Sequence, residues 1–69
     1  MNKLHPTVIE LLAEIEAYRA LSGEDRTAFG RNAMNDGHFI TRVEHGRLPT
    51  FRTIDRIQKY IRRRTKAVG

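Results

Sequence analysis

The chain contains no cysteine. That excludes disulfides and thiolate metal sites, and it fits a reducing cytoplasm. No apolar run approaches the ~20 residues that a membrane-spanning helix needs. The start of the chain lacks the charged-then-apolar layout of a secretory signal, so a cytoplasmic, nucleoid-associated location is expected. Glycine and proline are scarce, at 5 and 2 residues, while 39% of the chain is hydrophobic, which speaks against disorder. There is no strand-like alternation, no internal repeat and no low-complexity stretch. Support for catalysis is missing too. There is no Gly-rich phosphate loop and no evident nucleophile–base pair, and a chain this short leaves little room for a deep pocket. No enzyme activity, cofactor or small-molecule substrate is therefore expected. His38 and His45 stand seven apart with no further ligand completing a set, so no metal is expected either.

What the chain does have is a lopsided charge. The total is +5 over 69 residues. Residues 1–24 carry Lys3 and Arg19 against Glu10, Glu14, Glu16 and Glu24. Residues 25–69 carry eleven basic side chains against four acidic ones, a net of +7. A polyanion suits that second half, because each phosphate contact releases condensed counterions. Membrane surfaces and acidic proteins remain the other partners that charge alone allows.

The pattern of apolar residues predicts one all-α domain over 1–69, with four helices at about 7–22, 25–34, 37–45 and 50–64. Val8, Leu11, Leu12, Ile15 and Tyr18 form the stripe of the first helix, with Pro6 in its first turn, Thr7 able to cap it and Ser22-Gly23 ending it. Asp25 or Thr27 can cap the second helix, where Phe29 and Ala33 share a face. Gly30 sits inside that helix at a cost of ~1 kcal/mol relative to Ala, which signals a close backbone approach. Asn35-Asp36-Gly37 breaks the chain. Phe39, Ile40 and Val43 are the apolar positions of the third helix, which Gly46 ends; Phe39 is read as core, with a wedge against DNA as the alternative. Thr50 is a natural N-cap for the fourth helix, whose stripe is Phe51, Ile54, Ile57 and Ile61. Residues 1–5 and 65–69 are expected to be flexible. The predicted core is Ile15, Phe29, Ala33, Ile40, Val43 and Ile54.

Two short helices joined by a three-residue turn, with a glycine inside the first, match the layout of a helix-turn-helix. A steep crossing leaves room only for a small residue at Gly30. It also projects the start of the second helix of the pair toward a major groove ~12 Å wide.

The run Ile40-Thr41-Arg42-Val43-Glu44-His45-Gly46-Arg47-Leu48-Pro49 resembles the end of the recognition helix and the following loop in Cro/repressor-type (XRE-like) helix-turn-helix domains. In that family an apolar residue, Ser/Thr, Arg/Lys, an apolar residue, Glu, any residue and Gly come in this order, with Pro soon after. The resemblance spans about Arg19 to Ile61. The chain is also similar to small bacterial regulators with a Thr-Ala-Phe-Gly-Arg-like second helix and an Asn-Asp-Gly turn. It departs from the pattern at Met34, which replaces the usual turn glycine, and at Asn35, which replaces an apolar residue. A wider turn is therefore expected, and no sequence is left for a fifth helix.

The resemblance implies base-reading positions at Gly37, His38, Thr41, Arg42 and His45, with Asp36 at the margin. Arg42 suits guanine O6 and N7, and Thr41 suits a thymine methyl or a phosphate. A phosphate contact or a solvated side chain is the other role open to Arg42. Phosphate contacts are expected from Arg26, Thr27, Arg47, Thr50, Arg52 and Thr53, near helix starts. The run Arg62 to Lys66 is either a solvated helix end or a further backbone contact. A partly buried salt bridge between Arg19 and Glu44 is also implied.

The expected function is a sequence-specific regulator of transcription, a repressor or dual switch, on double-stranded DNA. One short recognition helix reads too few base pairs alone, so a homodimer on an inverted repeat is expected. Leu48 and Tyr60 are the apolar residues expected at its interface, with Leu4 and Ile9 spare elsewhere. Phages, mobile elements and toxin–antitoxin operons are settings the resemblance implies. The alternatives are a protein-interaction module, such as an antitoxin or anti-activator, that keeps the helix-turn-helix shape, and a DNA-bending recombination accessory factor.

Overall fold

Punctuation by a few residues divides the chain into four helices, and the computed structural model describes residues 4–68 of them. They are α1 (Pro6–Ser22), α2 (Arg26–Met34), α3 (Phe39–Glu44) and α4 (Phe51–Val68), with no strand among the described residues. The expectations for residues 1–3 and 69 lie outside the described residues.

Each boundary has a local cause. The cap of α1 is His5 rather than Thr7: the Thr7 N–H donates to His5 Nδ1 over 3.1 Å. Gly23 ends α1 in the left-handed region at φ 78°, where its N–H reaches the Arg19 carbonyl. Asp25 caps α2, accepting from the Ala28 N–H at 2.7 Å. Asn35 ends α2 at φ 56°, a conformation asparagine tolerates better than most residues. Thr50 caps α4, its Oγ accepting from the Thr53 N–H at 3.2 Å.

Two boundaries differ from expectation. Helix α3 is shorter than 37–45, because Gly37 and His38 belong to the turn. Asp36 shapes that turn: its carboxylate accepts from the His38 N–H at 3.0 Å, and its carbonyl accepts from the Phe39 N–H at 3.1 Å. Helix α4 runs on past residue 64 to Val68, so residues 65–68 are helical rather than a loose tail. No glycine or proline interrupts it before Gly69, and Arg and Lys favour helix.

The apolar stripes meet in one cluster. Ile15, Phe29, Ala33, Ile40 and Val43 are buried, together with Val8, Leu11, Tyr18, Phe39 and Ile57. Ile54 packs against the cluster from a half-buried position, as do Leu4, Leu12, Met34, Tyr60 and Ile61. Phe51 was expected in this core and is instead 88% exposed. The helical period explains it: six residues before Ile57 is roughly 120° away around the helix, off the buried face.

Helix α2 packs on both α3 and α4, and α4 packs on α1. The α2–α3 contact is as tight as Gly30 suggested. A Cβ at Gly30 would lie 2.2 Å from the Asp36 carbonyl oxygen and 3.4 Å from Phe39 Cβ. The Asp36 N–H also donates to the Gly30 carbonyl over 3.1 Å, so the turn is laced directly to the helix it follows.

On the other side of α2, three rings interlock. The centroids of Tyr18, Phe29 and Tyr60 lie 5.6–5.8 Å apart in tilted and edge-on pairs. The Tyr60 hydroxyl donates to Glu24 Oε2 at 2.7 Å, and Asn32 Nδ2 donates to the same oxygen at 2.8 Å. Tyr60 was expected to be spare for a second copy. It is not, because it stands three residues from Ile57 and so turns the same way as the core stripe.

Candidate nucleic-acid interface

Helix α3 has two different faces. Phe39, Ile40 and Val43 point into the core, at 7%, 1% and 0% exposure. Thr41, Arg42 and His45 are exposed, and His38 is exposed just before the helix. The spacing 38, 41, 42, 45 is that of a single helical face, so the core fixes the rotation of α3 and thereby the direction of this row. Gly37 stands half-buried at its start. A Cβ there would come within 3.0 Å of Thr27 Cγ2, which places the first turn of α2 beside the entry to α3.

The charged groups around α3 form two sets. Arg26 clasps Glu44 with both terminal nitrogens, one of them 3.0 Å from Oε2, and its Nη2 lies 3.5 Å from Thr41 Oγ1. The Glu44 contact holds the Arg26 guanidinium above its ordinary range, against a smaller opposing effect of burial. In return the Arg26 hydrogen bonds hold the Glu44 carboxylate below its ordinary range, again against burial. The second set gathers at the turn. Asp36 Oδ2 stands 3.9 Å from Arg42 Nε, a loose pair with Arg42 half exposed. Asp36 also lines a shallow cavity of about 150 Å³ with Arg47, Thr50 and Thr53.

The expected pair of Arg19 and Glu44 does not form. Arg19 bonds Glu16 one turn earlier at 2.8 Å, and its Nε donates to the Glu24 carbonyl at 3.0 Å. Arg26 reaches Glu44 first, from the helix that packs directly on α3. The resemblance implied Arg19 as the partner of Glu44, and the partner is Arg26 instead.

Arg52 also stands apart from the phosphate-contact set. Thr50 and Thr53 face the turn, whereas Arg52 lines a separate groove between α2 and α4, beside Asn32. Arg56, Lys59 and Arg63 share that groove. Arg56 and Lys59 were counted in the overall charge and not singled out, whereas Arg63 belongs to the Arg62 to Lys66 run expected as a helix end or a backbone contact; the spacing of all three from Arg52 is readable in the sequence. Leu48 is 68% exposed, and with Phe51 it makes an apolar pair at the α3–α4 loop.

Among the described residues no group of three or more His, Asp or Glu side chains is placed to hold a metal ion. No described helix is long and apolar enough to cross a membrane. Comparison with protein families, curated proteins and solved structures finds no match to this chain.

Proposed function

We propose that this chain is a sequence-specific double-stranded DNA-binding regulator, with α2 and α3 acting as a helix-turn-helix. The observation that carries the reading is the exposed pair Thr41 and Arg42 on α3, flanked by exposed His38 and His45 at its two ends, with the opposite face of the helix locked into the core. Rigid backing matters, since a reading helix loses discrimination if it can rotate. Arg42 is the leading base reader, and its loose contact with Asp36 is exposed and weak enough to be exchanged for guanine. Arg47, Thr50 and Thr53 supply phosphate contacts on one side. Thr27 supplies another, and Arg26 orients Thr41 while keeping its own charge near the backbone.

Two copies act on an inverted repeat. The exposed apolar pair beside the α3–α4 loop, Leu48 and Phe51, is the surface offered to a second copy, in place of Tyr60. An effect on transcription follows from occupancy of a promoter, by repression or as a dual switch.

Selection from a random duplex pool tests the reading, followed by gel shifts of the enriched sequence across a salt series. Enrichment of an inverted repeat with half-sites about one helical turn (~34 Å) apart supports it. A pool that stays random after selection contradicts it.

A further inference from the structure

We propose that the groove between α2 and α4 is a second track for a nucleic-acid phosphate backbone, separate from the α3 face. The inference rests on the reading of the chain as a nucleic-acid-binding protein and adds a surface to it. Arg52, Arg56, Lys59 and Arg63 line the groove, opposite Asn32 and Ala33 of α2, around a volume of about 410 Å³. Their spacing is four, three and four residues, which sets them in a line along one face of α4. At ~1.5 Å of rise per residue the line is roughly 16 Å long. A duplex carries one phosphate charge per ~1.7 Å of axis counting both strands, so a line of this length faces several of them.

The charges are available. Asp55 is the one carboxylate among the described residues that lines the groove, and it pairs with Lys59 at 3.1 Å. No carboxylate among the described residues is paired with Arg52, Arg56 or Arg63, all of which are exposed. Arg64 adds a cation at the edge, stacked 5.0 Å from the Tyr60 ring that lines the same groove.

The surroundings select the partner. Among the described residues the large exposed apolar ones are Ile9, Leu21, Leu48 and Phe51, and none of them lies in the groove. A lipid surface would want an apolar strip beside the cations, and a protein interface would want an apolar or aromatic anchor at its centre. Tyr60 is the one aromatic in the lining, and it is already packed against the core with its hydroxyl on Glu24, so a row of arginines beside it suits a continuous polyanion. Such a track adds affinity for every sequence equally, because it touches no base.

The test is binding to a random-sequence 20-base-pair duplex and to the selected site, by fluorescence anisotropy between 50 and 200 mM salt. Wild type is compared with Arg52→Gln/Arg56→Gln/Arg63→Gln and with Arg42→Ala. All four residues are exposed, and circular dichroism checks that each variant folds. The triple variant is expected to flatten the log–log salt slope by about 2.7, at ~0.9 per lost contact, for both duplexes alike. Arg42→Ala is expected to cut the preference for the selected site and leave most of the slope in place. If no sequence is preferred but the triple variant still flattens the slope, the groove stands and the base-reading assignment falls. A folded triple variant that keeps the wild-type slope overturns the proposal, as does wild type that ignores the random duplex at 50 mM salt. Should the triple variant misfold, Arg56→Gln and Arg63→Gln alone are each expected to lower the slope by about 0.9, and an unchanged slope in both overturns it.

Discussion

The Tyr60 hydroxyl donates to the Glu24 carboxylate across 2.7 Å, joining the middle of α4 to the connector between α1 and α2. Burial works against the charge on Glu24, but hydrogen bonds from Tyr60 and Asn32, the Tyr18 hydroxyl and the Arg64 charge together hold its pKa below the ordinary 4.5. Its Oε1 is buried without a hydrogen-bond partner, so the clasp depends on contacts to the other oxygen.

Tyr60→Phe removes that clasp while keeping the ring in its aromatic cluster. The expected loss is ~1–3 kcal/mol at pH 7, read from urea melts. The folded pKa of Glu24 is the lower one, so its contribution is complete above the unfolded value of 4.5 and drains away as pH falls through the folded value. The gap between wild type and Tyr60→Phe is therefore expected to narrow below pH 4.5. A gap that stays constant down to pH 2 would assign the loss to packing alone.

Gly30→Ala separates helix propensity from packing. Propensity alone predicts a gain of ~1 kcal/mol. The new methyl would stand 2.2 Å from the Asp36 carbonyl oxygen, which is backbone and accepts from the Phe39 N–H, while the Asp36 N–H donates to the Gly30 carbonyl. The turn has to shift, at ~1–3 kcal/mol of net destabilisation. A thermal melt showing a stabilised Gly30→Ala protein would mean the crossing is looser than described.

Most of the fold was legible in the sequence, and the failures share a cause. Helix spacing and stop residues placed α1 to α4 because glycine, Asx and threonine caps act locally, within three or four residues. Gly30 disclosed a tertiary contact because a glycine that weakens its own helix is compensated where a second backbone packs against it. Pairing between helices was less legible. Choosing Arg26 over Arg19 as the partner of Glu44 depends on which helix lies nearer to α3, and no local pattern encodes that distance. Phe51 was expected inside and is exposed, while Tyr60 was expected to be spare and is half-buried against the core. Both lie at the edge of the α4 stripe, where a shift of about one hundred degrees decides burial, and measuring each from Ile57 sorts them correctly. Of the candidate site, the exposed row on α3 was readable from its period, while the groove cations needed α2 to be placed against α4.

The Arg26–Glu44 pair is expected to contribute little to stability despite its two-pronged geometry. Both side chains are about two-fifths exposed, so solvent and salt screen the attraction. A double-mutant cycle with Arg26→Met and Glu44→Gln should give ~0–1 kcal/mol of coupling, shrinking in high salt. The same cycle with Arg19→Met should give a smaller coupling. A larger coupling for Arg19 would reverse the assignment.

Phe51→Ser tests the second copy. Phe51 is 88% exposed, so its loss should change stability by no more than ~0.5 kcal/mol. Sedimentation with a full inverted-repeat duplex is expected to show two copies of wild type per duplex and weaker assembly for Phe51→Ser. One wild-type copy per palindrome at saturating protein would rule out the symmetric dimer.

Base reading by α3 is decided by comparing wild type and Arg42→Ala on the selected duplex and on every single-base-pair variant of one half-site, at a fixed salt concentration. Wild type is expected to lose ~1–3 kcal/mol of binding at one guanine-containing pair, whereas Arg42→Ala is expected to bind all four pairs at that position equally while discriminating elsewhere as before. Loss of binding by Arg42→Ala in equal proportion at every position, with no base preference erased, would contradict the claim that α3 reads the major groove.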